Sequence, residues 1–144
     1  MARLPLACVA LLAAYFPAAL WLRTSYVDQK PKGEVVVQLL PPFTRQGFAA
    51  IKHDLYGLPA ELIGDREDVK NDSRSPVTIY ENLKPLGPAH NTFRVIANIG
   101  MGRFSHWQHQ GLVFSASDNS DPNTNGRRYW AVVPTAQPQA SAVR

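Results

Sequence analysis

The chain is poor in the residues that most readily betray chemistry. Cys8 is its only cysteine, so no disulfide can form within the chain, and cysteine usage leaves the compartment open. From Leu4 to Leu22 there is no Asp, Glu, Lys, Arg or His. Ion pathways and histidine-held pigments need such groups inside a membrane, so that stretch carries neither a pore, a proton relay nor a pigment ligand. Basic residues are not clustered: 15 Lys and Arg stand against 11 Asp and Glu, and Arg3 and Arg23 merely flank the apolar stretch. Nucleic-acid binding needs a basic stripe with aromatic platforms, and none is present. Internal repeats are also absent.

The uncharged stretch itself is the strongest positive signal. As a helix, Leu4–Leu22 would extend about 28 Å, close to the ~30 Å hydrocarbon core of a bilayer. A cleaved secretory signal is the competing reading, because Met1-Ala2-Arg3 gives a basic start and Ala19 offers a cleavage point. Against cleavage, Pro17 occupies a place that requires a small residue, and Leu20-Trp21-Leu22 carry the apolar run past it. Trp21 and Tyr26 suit a bilayer interface. Cys8 is preceded by Pro5-Leu6-Ala7 and followed by the apolar run, the wrong order for a lipoprotein signal. Residues 1–23 are therefore expected to be a transmembrane anchor, with Ala7, Ala10, Ala14 and Ala18 spaced for close approach of another helix or simply facing lipid. Arg23, Lys30 and Lys32 would place the following chain in the cytoplasm by the positive-inside rule, whereas the signal-like start favours export. Export is the expectation: a single-pass protein of a bacterial inner membrane with its domain on the periplasmic side.

Beyond a polar linker at 24–33, residues 34–133 have the length of one domain. Short β-branched and aromatic runs at Glu34–Leu40, Val77–Glu81, Phe93–Ile96, Arg103–Trp107, Gly111–Ser115 and Arg127–Val133 alternate with Gly, Pro and Asn turns. They predict a mainly β domain, an antiparallel sandwich-like sheet arrangement. The one helix expected is at Phe43–Tyr56, where Phe48, Ile51, Leu55 and Tyr56 fall on one helical face. Asp65-Arg66-Glu67-Asp68 reads as a solvated turn. Residues 134–144 are too polar to fold alone and are expected to be a flexible tail.

Asp121-Pro-Asn-Thr-Asn-Gly126 matches the first half of a calcium-binding EF-hand loop, but the twelfth position is Val132 where a chelating Glu is needed. A different calcium site using Asp118 and Asp121 is conceivable; turn formation by the Asx side chains is the stronger reading. His106 and His109 would point to opposite faces of a strand, which opposes a shared metal. His53 and Asp54 with Ser105 or Ser115 lack any nucleophile motif. Trp107, Tyr129 and Trp130 offer an aromatic platform for a sugar or a protein partner, with Asp118, Asn119 and Asp121 as polar neighbours, although core filling explains each ring at least as well.

Pro76–His90, Gly102-Arg-Phe-Ser-His-Trp107 and Ser115–Tyr129 together resemble a bacterial β-rich module associated with proteins of cell-surface glycan metabolism. The resemblance implies a compact accessory domain and supplies no catalytic residues. Gln108-His109-Gln110 departs from it where a tight Gly turn is expected. The resulting expectation is a non-catalytic, membrane-anchored accessory subunit. Its β-domain braces the extracytoplasmic face of a multi-subunit complex, photosynthetic or respiratory, with no cofactor or metal of its own. The alternative is a cell-surface carbohydrate-binding module.

Overall fold

The computed structural model describes residues 3–25, 30–53 and 64–135, with the side chains of residues 3–7 and 10 outside that description. The elements are α1 (Arg3–Ser25), β1 (Val35–Leu39), β2 (Thr44–Gln46), β3 (Ala49–Lys52), β4 (Thr78–Glu81), β5 (Lys84–Pro85), α2 (Phe93–Asn98), β6 (Phe104–Trp107), β7 (Gly111–Phe114) and β8 (Tyr129–Val133). The strands form two four-stranded antiparallel sheets, ordered β1-β8-β4-β5 and β2-β3-β7-β6. The expected mainly β fold is what the chain adopts.

Alternation decides which side chains meet between the sheets. Leu39, Ile79, Tyr129, Ala131 and Val133 of the first sheet close on Ala50, Phe104, Leu112 and Phe114 of the second. The rings of Phe43, Phe114 and Tyr129 lock edge-on or tilted at 4.8–6.2 Å between centroids, within the favourable range for aromatic pairs. A second, smaller core lies on the outer face of the second sheet, where Ile96 and Ala97 of α2 cover Ala49, Trp107 and Val113. β7 is thus covered on both faces, and all four of its residues are buried. A continuous apolar run rather than an alternating one is what a doubly covered strand requires.

Two expectations are corrected. Phe43–Lys52 contains no helix among its described residues; it holds the β2–β3 hairpin, turned by Gly47 at φ 59°. A Cβ on Gly47 would stand 2.4 Å from the Ala97 carbonyl oxygen, so the turn seats itself against the end of α2. Leu55 and Tyr56 lie outside the described residues. Phe93–Ile96, read as strand, is the start of α2, whose Ile96 and Ala97 face the sheet. Tertiary packing on the second sheet outweighs the β-branched preference of Val95 and Ile96.

The N-terminal helix is present, but the expected membrane span is not found among the described residues. A helix is present at Arg3–Ser25, two residues longer than the expected anchor at its C-terminal end. Among the described residues, no helix is long and apolar enough to cross a membrane. Ala14 and Ala18 are exposed, while the side chains of Ala7 and Ala10 lie outside the described residues. Residues 26–29 of the linker and 136–144 of the tail also lie outside them; in between, Pro31 is buried and Pro134 and Thr135 are exposed.

Candidate functional site

The six side chains expected to form one contact surface fall into separate places. Tyr129 belongs to the core between the sheets, 1% exposed. Its neighbour Trp130 is on the opposite face of β8, as strand alternation demands, and its Nε1 is buried with no hydrogen-bond partner among the described residues. Trp107 is in the second core, against α2.

The polar members are engaged in holding loops. Asn119 accepts the Met101 N–H at its Oδ1 and donates from Nδ2 to the Ile99 carbonyl, fixing the turn that ends α2. Asp121 accepts the Asn123 N–H at 2.9 Å, an Asx turn, and pairs with Arg45 at 2.8 Å. The Asp121 carboxyl is held below the usual range by the Asn123 N–H first and Arg45 second. Asp118 pairs with Arg127 and accepts from the Ser120 hydroxyl and N–H, and these bonds, the Arg127 bond foremost, also lower its carboxyl. Arg127 reaches past Asp118 to Glu81 at 3.0 Å, where Tyr129 Oη also donates at 3.0 Å and Ser117 adds two bonds. Burial raises the Glu81 carboxyl, but the donors from Ser117, Arg127 and Tyr129 outweigh it and hold the group ionised. The 115–129 block is thus a polar staple between the sheets. Among the described residues, no group of three or more His, Cys, Asp or Glu is arranged to hold a metal ion.

A different constellation stands along the free side of β6. The chain at Asp65 joins β6 by a parallel bridge to Trp107: the Asp65 N–H donates to the His106 carbonyl at 2.7 Å, and the Gln108 N–H donates to the Asp65 carbonyl at 3.1 Å. Gly64 makes this possible, since a Cβ there would lie 2.6 Å from the backbone of Trp107 and Gln108. Asp65, expected in a solvated turn, is instead 2% exposed. A buried carboxylate needs donors on both oxygens. The Ser75 N–H supplies one at 2.9 Å and His90 Nδ1 the other at 2.6 Å. Because an ionised carboxylate only accepts, Nδ1 carries the proton, which leaves Nε2 as the second polar atom of the ring. His90 holds a left-handed φ of 56°, a conformation uncommon for a residue with a side chain.

Behind this pair, Ser75 Oγ and His106 Nδ1 are 2.8 Å apart, and the Val77 N–H donates to the same hydroxyl at 3.3 Å. Burial pushes the His106 imidazole below its ordinary value, against the pull of the Asp65 carboxylate, so the ring is neutral at neutral pH. Asp65 and Ser75 therefore tie three distant stretches of chain, near positions 65, 75 and 90, to β6.

In front of the pair is a cleft of about 530 Å³, within the size range of small-molecule sites. The 65–72 loop forms one wall, the 90–93 segment the other, and Trp107 with Gln110 closes the end. The loop wall is braced internally: Asp72 accepts both the Arg66 N–H and Nε at 2.9 Å and lies 3.6 Å from Arg74. Gln110 Nε2 ties Glu67 to the β6–β7 turn at 2.9 Å. On the facing wall, Thr92 precedes α2 without capping it through its hydroxyl. Of the side chains expected from the sequence to contact a partner or sugar, only Trp107 borders this cleft; the Asp65-Arg66-Glu67-Asp68 stretch, read as a solvated turn, lines it as well. Asp65, Ser75, His90 and His106 belong to no local motif, and their spacing carries no signal.

No protein family model, curated protein or solved structure matches the chain.

Proposed function

We propose that the chain is a non-catalytic accessory subunit, anchored by α1 in a bacterial inner membrane, whose β-domain braces the periplasmic face of a larger membrane complex. The observation that carries this reading is the uniform character of α1. Val9, Leu11, Leu12, Tyr15, Phe16, Leu20, Trp21 and Leu22 are all 54–71% exposed, on every side of the helix. An apolar helix with no polar face belongs in lipid or among other helices. β1 and β8 pair Val35 with Val133 at the end nearest α1 in sequence, and Leu39 with Tyr129 at the other end. Among the described residues, the domain's exposed large apolar side chains are Leu40, Phe48, Leu83, Ile99 and Met101, of which Leu40 and Leu83 follow β1 and β4 at the Tyr129 end of their sheet. Such residues suit a partner surface.

The test is extraction of native membranes, first with alkaline carbonate and then with mild detergent, followed by intact mass measurement. Retention in the carbonate pellet, a mass including Met1–Leu22 and fixed stoichiometry with other membrane subunits are expected. A soluble chain beginning near Leu20 overturns the anchor and the subunit role together.

The second reading is a carbohydrate-binding module, supported by the cleft that Trp107 borders. It moves the ligand contacts away from Tyr129, Trp130, Asp118, Asn119 and Asp121, whose side chains are packed or bonded within the domain.

A further inference from the structure

Resting on the carbohydrate-binding reading, we infer that the cleft beside β6 is a saccharide site for neutral or amino-bearing rings that discriminates against acidic ones, with His90, held by Asp65, as its main polar contact. Three observations converge on it. First, the cleft pairs apolar surface with planar polar groups. Phe93 is half-buried, packs against the small core that contains Trp107, and lines the cleft together with Trp107, so aromatic surface meets the imidazole of His90 and the amide of Asn91 there. A pyranose has the matching character, an apolar C–H face and a rim of hydroxyls.

Second, His90 is pre-set. The 2.6 Å bond to a carboxylate that is itself 3% exposed fixes both the tautomer and the ring orientation, while the side chain stays 30% exposed on the cleft. A ligand hydroxyl meeting Nε2 therefore does not first have to freeze a mobile ring. Asn91 is fixed in the same way, because its Nδ2 donates to the carbonyls of Pro88 and Ala89 at 2.7 and 3.0 Å. That leaves Oδ1 as the atom of the amide available to a ligand.

Third, the charge of the walls has a sign. Asp72 is neutralised by Arg66, and Asp65 is bonded to His90. Glu67 and Asp68 then stand against Lys70. A uronic acid brings a carboxylate toward two others, whereas an amino sugar brings a charge of the favoured sign.

The experiment is calorimetric titration of the full chain in phosphatidylcholine nanodiscs with cellobiose, the dimer of glucosamine, and digalacturonate. The first two are expected to bind, with digalacturonate at least about fivefold weaker, the scale of one unfavourable exposed charge contact. In the double variant E67Q/D68N, whose side chains are exposed and leave the fold intact, digalacturonate is expected to come within about twofold of cellobiose. H90Q is expected to weaken cellobiose about tenfold with an unchanged circular dichroism spectrum. Digalacturonate binding as tightly as cellobiose overturns the charge selection and leaves the carbohydrate reading standing. Unchanged affinity in H90Q removes His90 from the site. Binding of none of the three sugars overturns both the inference and the reading beneath it.

Discussion

Asn123 treats the backbone of Phe43 as a strand would: its Oδ1 accepts the Phe43 N–H at 2.8 Å and its Nδ2 donates to the Phe43 carbonyl at 3.1 Å. The amide thereby replaces a peptide unit at the entry to β2, where Pro42 precedes and the Phe43 ring turns into the core. N123D keeps the acceptor but sets a carboxylate oxygen against the Phe43 carbonyl. Urea unfolding of this variant is expected to show a loss of about 1–3 kcal/mol, the scale of a hydrogen-bonding group left facing a like partner. A loss below about 0.5 kcal/mol would mean that water replaces the contact freely.

Gly111 and Gly126 both have positive φ, 80° and 71°, but differ in what a side chain would meet. A Cβ at Gly111 would lie 2.4 Å from the Lys52 carbonyl oxygen, across the β3–β7 pairing, whereas at Gly126 nothing stands within 4 Å. G126A is expected to cost about 1 kcal/mol, the left-handed penalty alone. G111A is expected to cost more than twice that, about 2–4 kcal/mol, because backbone must also move. Equal costs would show that β3 yields readily.

Removing the Tyr129 hydroxyl isolates one donor of the Glu81 network without emptying the core. Y129F leaves Glu81 with Ser117 and Arg127 and takes one of two acceptors from Asn125 Nδ2, which donates to Tyr129 Oη at 2.8 Å and to Ser120 Oγ at 3.0 Å. A destabilisation of about 1–2 kcal/mol in chemical denaturation is expected. If Y129F matched the native midpoint, Glu81 would be fully satisfied by its other donors.

Stability should fall with acidity in two stages. His106 is held below its ordinary value of 6.5 in the fold, chiefly by burial. As pH falls from about 6.5, the unfolded chain takes up this proton first, so the contribution of the neutral ring, complete above that value, is lost on passing through the lower folded one. Asp72, Glu81, Asp118 and Asp121 are likewise lowered, so their contributions are complete above about pH 4–5 and disappear as each is protonated at lower pH. Denaturation midpoints measured from pH 8 to 3 should decline in both windows. H106Q should flatten the upper one and leave the lower.

The β runs were legible because burial on one or both faces leaves its period in the residues: Thr78–Glu81 alternates, and Gly111–Phe114 does not. The β2–β3 hairpin was hidden by Phe48, Ile51, Leu55 and Tyr56, whose spacing imitates a helix. Gly47 at a positive φ was the local sign that the chain turns there. For α2, Phe-Arg-Val-Ile favours strand in isolation, and only the surface offered by Ala49 and Val113 makes it a helix. The Asn-rich loop was readable as turn chemistry, since Asx bonding is local. Asp65, Ser75, His90 and His106 were not readable as a group, because their proximity arises from two sheets and a parallel bridge that no short window contains.

β8, the last strand described, runs through the middle of its sheet with β1 on one side and β4 on the other. A ribosome releases β1 and β4 well before their shared neighbour exists. Until Val133 has emerged, Leu39 and Ile79 have no strand between them, and the inter-sheet core lacks Tyr129, Ala131 and Val133. Folding of the domain is therefore a late event in synthesis, and any partner that meets the chain earlier meets it open.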